Sequence, residues 1–279
     1  MKLHAFVTAA VLSISSFAAV PDADTLRLVA EHYLAKKEIP SLEKGFSMEE
    51  GLETQKRFVE LLQKDMGPVV GYKIGLITKQ AQERLGGGPV HGVLLKRMLY
   101  ANGAMVPSHY GARPAVELDM GVTVKDAGIN RAKTLEEAIP HLLDLVCFIE
   151  LVDTITATNQ PVDAALLTAL NVGARAGILG QIRRMTPELA EALPGMRMAL
   201  LEEDGKVIAE VPKLNLQPLD NLPWFIADLN RHGQNLKPGD FISLGSPAAA
   251  QPVMPGRTIK LRYENLPKGK MEARVTFTQ

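Results

Sequence analysis

The chain has 279 residues, 46% of them hydrophobic, and its 31 Lys+Arg offset 31 Asp+Glu to leave no formal net charge. That length and apolar share suffice for one large core or two small ones. Balanced charge without a run of five like charges excludes an electrostatic nucleic-acid binder or a polybasic membrane-surface protein, and aromatics at 5% with one Trp are too few for base stacking.

Residues 1–18 place Lys2 ahead of a mostly apolar stretch and end on small residues, Ser16-Phe17-Ala18. This is the layout of a secretory signal peptide cut near Ala19, which predicts a periplasmic location and no membrane attachment after processing. The alternative is an apolar segment docked on the core. Asp24-Thr25 ahead of Leu26, Val29 and Tyr33 predicts a capped amphipathic helix. Ser47 with Glu50 three residues on is a capping box, opening a second helix that stops near Gly67. Residues 22–67 therefore form a small helical part.

From residue 68 to 279 the texture changes to short apolar runs separated by Gly and Pro turns. Strands are expected over 69–74, 116–124, 146–152, 198–201, 207–211, 241–244, 259–263 and 273–277. Asp204-Gly205 and residues 267–270 are hairpin signals. Helices are expected at Thr134 with Glu137, at Thr186-Pro187, and from Pro223 to a closing Gly233. Gly86-Gly87-Gly88-Pro89 matches no phosphate-binding fingerprint and is expected as a loop or lid. The single Cys147 excludes an internal disulfide and any zinc site of paired cysteines, and its apolar neighbours predict a buried thiol. The expected class is α+β.

Glu117 and Asp119 stand two apart in an apolar strand, whose period of two throws both carboxylates onto one face. Glu150 follows the apolar run 145–149, where an isolated buried carboxylate is costly unless paired or metal-bound. Three carboxylates without His or Cys are hard oxygen ligands, which favour Mg²⁺ or Mn²⁺. In residue terms the alternative is a solvated strand edge, with Glu150 paired to Arg or Lys. Lys73, in Gly71-Tyr72-Lys73-Ile74-Gly75, is a lysine inside an apolar strand, either a cationic anchor beside a ligand or a surface side chain on the polar face. His91 and His109 are isolated histidines, expected at the surface or as satisfied core residues.

Gly71-Tyr72-Lys73-Ile74-Gly75-Leu76, then Glu117-x-Asp119, Phe148-Ile149-Glu150, Asn171, Gln217-Pro218-Leu219 with Trp224, and Gly239-Asp240 to Gly245 follow one order. In that order, from about residue 24 to 279, the chain resembles the fumarylacetoacetate hydrolase superfamily, in the branch of 2-oxopent-4-enoate hydratases and 4-oxalocrotonate decarboxylases. The resemblance implies a mixed β-sandwich roll in a homo-oligomer, with Mg²⁺ or Mn²⁺ held by Glu117, Asp119 and Glu150. It implies a small 2-oxo acid chelating that metal, Lys73 as the catalytic lysine, and Gly75, Leu76 and Asn171 beside the substrate. The implied reaction is that of a 2-oxopent-4-enoate hydratase-like lyase, with C–C bond hydrolysis or decarboxylation as the alternative enzyme reading. The chain departs from the branch at Val90-His91-Gly92, where an aspartate precedes a Phe-Gly pair, at Gly173, where a serine is usual, and at Arg175, where a small residue is expected. The first two departures bear on water addition and leave metal binding and enolisation standing; they also motivate a third reading, a periplasmic 2-oxo acid binding protein without turnover.

Overall fold

A computed structural model describes residues 20–42 and 45–279. The expected export signal at 1–18 lies outside the described residues. Among these, no helix is long and apolar enough to cross a membrane.

The first helix, α1 (Ala23–Leu34), starts two residues earlier than its sequence signal suggests: Asp22, in extended conformation, accepts from the Thr25 N–H and is the cap. Asp24 already lies in the first turn, where negative charge favours the helix dipole. In α2 (Met48–Met66) the capping box forms as expected, Ser47 and Glu50 each accepting from the other's backbone N–H, and Gly67 ends the helix. The remaining elements are β1 (Val69–Gly75), α3 (Lys79–Leu85), β2 (Val90–Leu95), β3 (Leu99–Ala101), β4 (Met105–Pro107), β5 (Pro114–Val124), α4 (Leu135–Ala138), β6 (Leu142–Asp153), α5 (Ala164–Ala169), β7 (Ala174–Arg184), α6 (Pro187–Ala192), β8 (Arg197–Glu202), β9 (Val207–Val211), α7 (Leu222–Arg231), β10 (Phe241–Ser243), β11 (Gln251–Pro252), β12 (Thr258–Glu264) and β13 (Met271–Thr278). Every expected strand and both hairpins are present. Five strands and two helices carry no clear sequence signal: β2, β3, β4, β7, β11, α3 and α5.

The strands make two mixed sheets, as the resemblance implies. One has the order β2-β1-β10-β5-β6-β7-β3 with β11 paired to the start of β5; the other runs β4-β13-β12-β8-β9. Long antiparallel pairing of β5 with β6 and of β6 with β7 forms the centre of the larger sheet, and β1 joins β10 in parallel. The smaller sheet packs against one face of β5, β6 and β7. Cys147 marks that inner face: its thiol is fully buried and points to the Leu261 carbonyl at 3.7 Å. Residues one step along β6, Phe148 and Glu150 among them, face the other way. The side chains of α1 and α2, including Tyr33, Phe58 and Leu62, join the same continuous core as the strands.

Candidate active site

Four neighbouring strands bring the chemistry together through register. Lys73 on β1 lies opposite Ser243 on β10, Ser243 opposite Gly121 on β5, and Glu117 opposite Glu150 on β6. Directly paired residues share a face, and so do residues two apart in one strand. Lys73, Ser243, Asp119, Glu117 and Glu150 therefore emerge on one side of the sheet although 170 positions separate the first from Ser243. Gly92 on β2, opposite Lys73, makes this possible: a Cβ there would sit 3.1 Å from the lysine Cγ and 2.6 Å from the Asn171 carbonyl oxygen.

The lysine is no surface side chain. It is 3% exposed and pairs with Glu150, Nζ to Oε1 at 2.5 Å. The other Glu150 oxygen, Oε2, is buried without any hydrogen-bond partner. Asp119 is fully buried; one oxygen accepts from the Met120 N–H at 2.6 Å and the other from the Ser243 hydroxyl at 2.5 Å. Glu117 is partly open to the cleft. Burial, followed by the charge of Glu150, holds the Asp119 carboxyl well above its usual range, against the pull of its hydrogen bonds from Ser243 and Met120. The same two causes push Glu117 up to about 7, with Lys73 opposing. Burial alone would depress the Lys73 ammonium, but the charges of Glu150, Glu117 and Asp119 outweigh it and raise its pKa.

With all three carboxyls ionised, one ammonium would leave two negative charges unbalanced in a largely buried place. The raised carboxyls express that excess, and the orphaned Glu150 oxygen marks where it is unsatisfied. A divalent cation fits both demands, and the donors are all hard oxygens. As they stand the acids lie in a row across the sheet, and among the described residues no three acidic, His or Cys side chains are already gathered around one point.

Lys73, Glu117 and Glu150 line a cleft of about 660 Å³, while Asp119 and Ser243 are fully buried and outside its lining. Gly75 and Leu76, expected beside the substrate, both line it, as do Val162, Leu167 and Val172. Asn171 has a different task. Its amide accepts from the Val93 N–H at 2.7 Å and donates to the Val93 carbonyl at 2.9 Å, so it clamps β2 and presents no side chain to the cleft. Asn171, Val172 and Gly173 all have positive φ, 55°, 54° and 64°. For a β-branched valine this is a strained conformation, and the Asn171 clamp holds it so that Val172 lines the cleft. Leu76, at φ 56°, is the second such residue in the lining.

The other single candidates fall elsewhere. His91 is buried and pairs with Asp228 of α7 on the reverse of the sheet, Nδ1 to Oδ2 at 3.0 Å. Arg175 donates to the carbonyls of Tyr110 and Tyr33 and lies over the Tyr33 ring, outside the cleft. Sequence reasoning missed Ser243; the one available signal is a hydroxyl inside the apolar run Phe241-Ile242-Ser243-Leu244.

No family model matches the chain. The 4-oxalocrotonate decarboxylase of Pseudomonas putida is 24% identical over 210 residues, covering 74% of this chain and 77% of the relative. The solved structure of 4-oxalocrotonate decarboxylase from Pseudomonas putida G7, complexed with calcium and acetate, superposes with a TM-score of 0.78 at 20% identity, over 93% of this chain and 99% of that one. Fumarylpyruvate hydrolase from Pseudomonas aeruginosa, complexed with Mn²⁺ and pyruvate, gives 0.50 at 14% identity, over 74% and 88%. The chain thus has the fold of the fumarylacetoacetate hydrolase type, and its similarity lies with the branch that its ordered motifs resemble.

Proposed function

We propose that this protein is an enzyme that uses Mg²⁺ or Mn²⁺ and acts on a small 2-oxo acid through its enol form. The observation that carries the reading is Lys73, Glu117 and Glu150 lining a cleft with buried Asp119 beside them, three carboxyls to one ammonium and one partnerless oxygen. Glu117, Asp119 and Glu150 would hold the cation, which when bound supplies Lewis-acid polarisation of a substrate carbonyl. Lys73, at the cleft wall beside Glu150, would be the donor next to the bound acid. There it stabilises negative charge on the 2-oxo oxygen or carries a proton to and from C3. Ser243 keeps Asp119 aimed, and the apolar lining from Leu76, Val162, Leu167 and Val172 keeps water from the reacting carbon. The similarity to a decarboxylase and to a hydrolase solved with Mn²⁺ and pyruvate supports this class of chemistry.

The finer reading is a hydro-lyase of 2-oxopent-4-enoate hydratase type. Val90 and Gly173, together with the decarboxylase relative, favour a second reading in which the same enol follows loss of CO₂ or of an acyl group. Proton NMR in D₂O with Mg²⁺ and a small 2-oxo acid tests the common step: deuterium enters at C3, and EDTA abolishes the exchange. Rapid hydration without exchange would overturn the enol step. Absence of both, with the acid still bound, would make this a binding protein. Lys73→Met slows exchange while leaving the cation bound, since its place is beside the substrate. Export is proposed on residues 1–18 alone; the native protein then begins near Ala19 in the periplasmic fraction, and a mass that includes Met1 in the cytoplasm would refute it.

A further inference from the structure

The Lys73 stem lies against a wall that cannot anchor itself. That wall is Gly92 of β2, where the lysine Cγ and the Asn171 carbonyl oxygen already occupy the space of a Cβ, so no side chain is available to fasten it. β2 is also an edge strand of the larger sheet, and alternate residues of an edge strand turn their backbone groups away from the only neighbouring strand. His91 and Val93, on either side of Gly92, are such residues, and both are fastened. The Val93 N–H and carbonyl are both taken by the Asn171 amide. The His91 carbonyl accepts from the Gln55 amide of α2 at 2.8 Å, and that amide also donates to the Thr168 carbonyl of α5 at 2.9 Å. His91 has a second anchor in its side chain, which is 4% exposed and pairs with Asp228 of α7. The imidazole stands edge-on to the rings of Tyr72 and Phe225, with centroids 6.3 and 5.7 Å away. Tyr72 precedes Lys73 in β1, so one His–Asp pair reaches both strands from the reverse of the sheet, behind the place where the lysine stem passes.

Ring packing alone does not call for a histidine here, since a phenylalanine fills the same place without a polar edge to satisfy. A buried, paired polar group adds what an apolar contact lacks, a fixed direction and distance. We infer that His91 is a positioning residue: paired with Asp228, it fixes β2 behind the Lys73 stem and so sets where the ammonium stands at the cleft. It acts through Gly92 and is outside the cleft lining. The inference rests on the role given to Lys73 above and assigns that lysine its support.

The test replaces His91 in the full chain and reads Lys73 directly. His91→Phe keeps a ring and removes the donor, and Asp228 retains Arg231 on its other oxygen, so no carboxylate is left isolated. His91→Asn gives up the ring and keeps a donor near the Nδ1 position. In protein carrying ¹⁵N-labelled lysine, the Nζ protons of a buried, paired ammonium exchange slowly with water, and Lys73→Met identifies their signal. In His91→Phe these protons exchange about tenfold faster or more. The kcat for deuterium entry at C3 of 2-oxopentanoate with Mg²⁺ falls roughly tenfold or more, while KM and the calorimetric affinity for Mn²⁺ hold. His91→Asn recovers both losses. Asp228→Asn reproduces them from the side of α7, and it decides the matter should His91→Phe fail to fold. Unchanged Nζ exchange in His91→Phe and Asp228→Asn overturns the inference whatever the activity. A fall in Mn²⁺ affinity as large as the fall in kcat overturns it too, as the mark of general loosening. If the wild type moves no deuterium while Nζ exchange responds to His91, the 2-oxo acid reading falls and the positioning of Lys73 by His91 stands.

Discussion

Asp119 depends on a residue that no motif singles out. Its buried carboxylate is oriented by the Ser243 hydroxyl from β10 and by the Met120 N–H, so Ser243 is a positioning residue for a candidate ligand. Removing a hydrogen bond that orients a metal ligand costs roughly 10- to 100-fold in metal affinity. Ser243→Ala should therefore weaken Mn²⁺ binding by that factor in calorimetry, and alanine at Glu117, Asp119 or Glu150 should weaken it further. Unchanged affinity in all four variants would remove the carboxylates from the ligand set. Residue identity was largely readable at this scale: the period-two spacing marks Glu117 and Asp119, and an acid after an apolar run marks Glu150. The Lys73 pairing was not readable, because a lysine in an apolar strand faces solvent or core according to what the neighbouring strands place opposite it. The Asn171 clamp was equally hidden, since its partner Val93 is 78 positions away.

Among elements, β7 shows why a long strand can leave no sequence signal. Its apolar pattern is broken by Arg175, Gly177 and Gly180, yet Gly177 is required, because the Phe148 ring fills the space a Cβ would take. Helix α7, by contrast, was legible from Pro223 and Gly233, but not its task. It packs Phe225 against Tyr72 and His91 on the reverse of β1 and β2, and seats Asp228 between His91 and Arg231. Burial alone would raise the Asp228 carboxyl, but the hydrogen bond and charge of His91, with the Arg231 hydrogen bond and the charge of His232, outweigh it and lower the pKa below 3.8. The folded state therefore binds this proton less readily than the unfolded chain. The contribution to stability is fully present above pH 3.8 and is lost as pH falls through the depressed folded value. Denaturant midpoints measured from pH 6 down to pH 3 should fall more steeply for the wild type than for Asp228→Asn. Parallel curves would show that the pair does not support the back of the Lys73 strand.

For the whole molecule, the acidic row sits where the two sheets are tied together. The Tyr263 hydroxyl, from the smaller sheet, donates to the Asp119 carbonyl and accepts from the Phe148 N–H at 3.1 Å. A cation bound on this row stabilises the native state by mass action, by about 2.7 kcal/mol at a hundred times its Kd. In a chain of this size that corresponds to a rise in Tm of roughly 5 °C. Scanning calorimetry with Mn²⁺ and with EDTA should show the rise in the wild type and a much smaller one in Glu117→Gln, chosen because Glu117 is partly open and its loss leaves the Lys73–Glu150 pair in place. An equal rise in both proteins would place the cation elsewhere.

The sequence by itself determined the local grammar: the capping box at Ser47, the hairpins at 204–205 and 267–270, the apolar strands, and three hard acids with a lysine as candidate chemistry. These depend on neighbours within a few positions, where backbone sterics, hydrogen-bond partners and side-chain period act directly. Tertiary structure alone decided which strands adjoin, and through that register it set Lys73 against Glu150, Ser243 against Asp119, and Val172 in its strained turn. Those outcomes belong to pairings between distant segments. They are selected by burial of the shared core, to which no one segment holds the key.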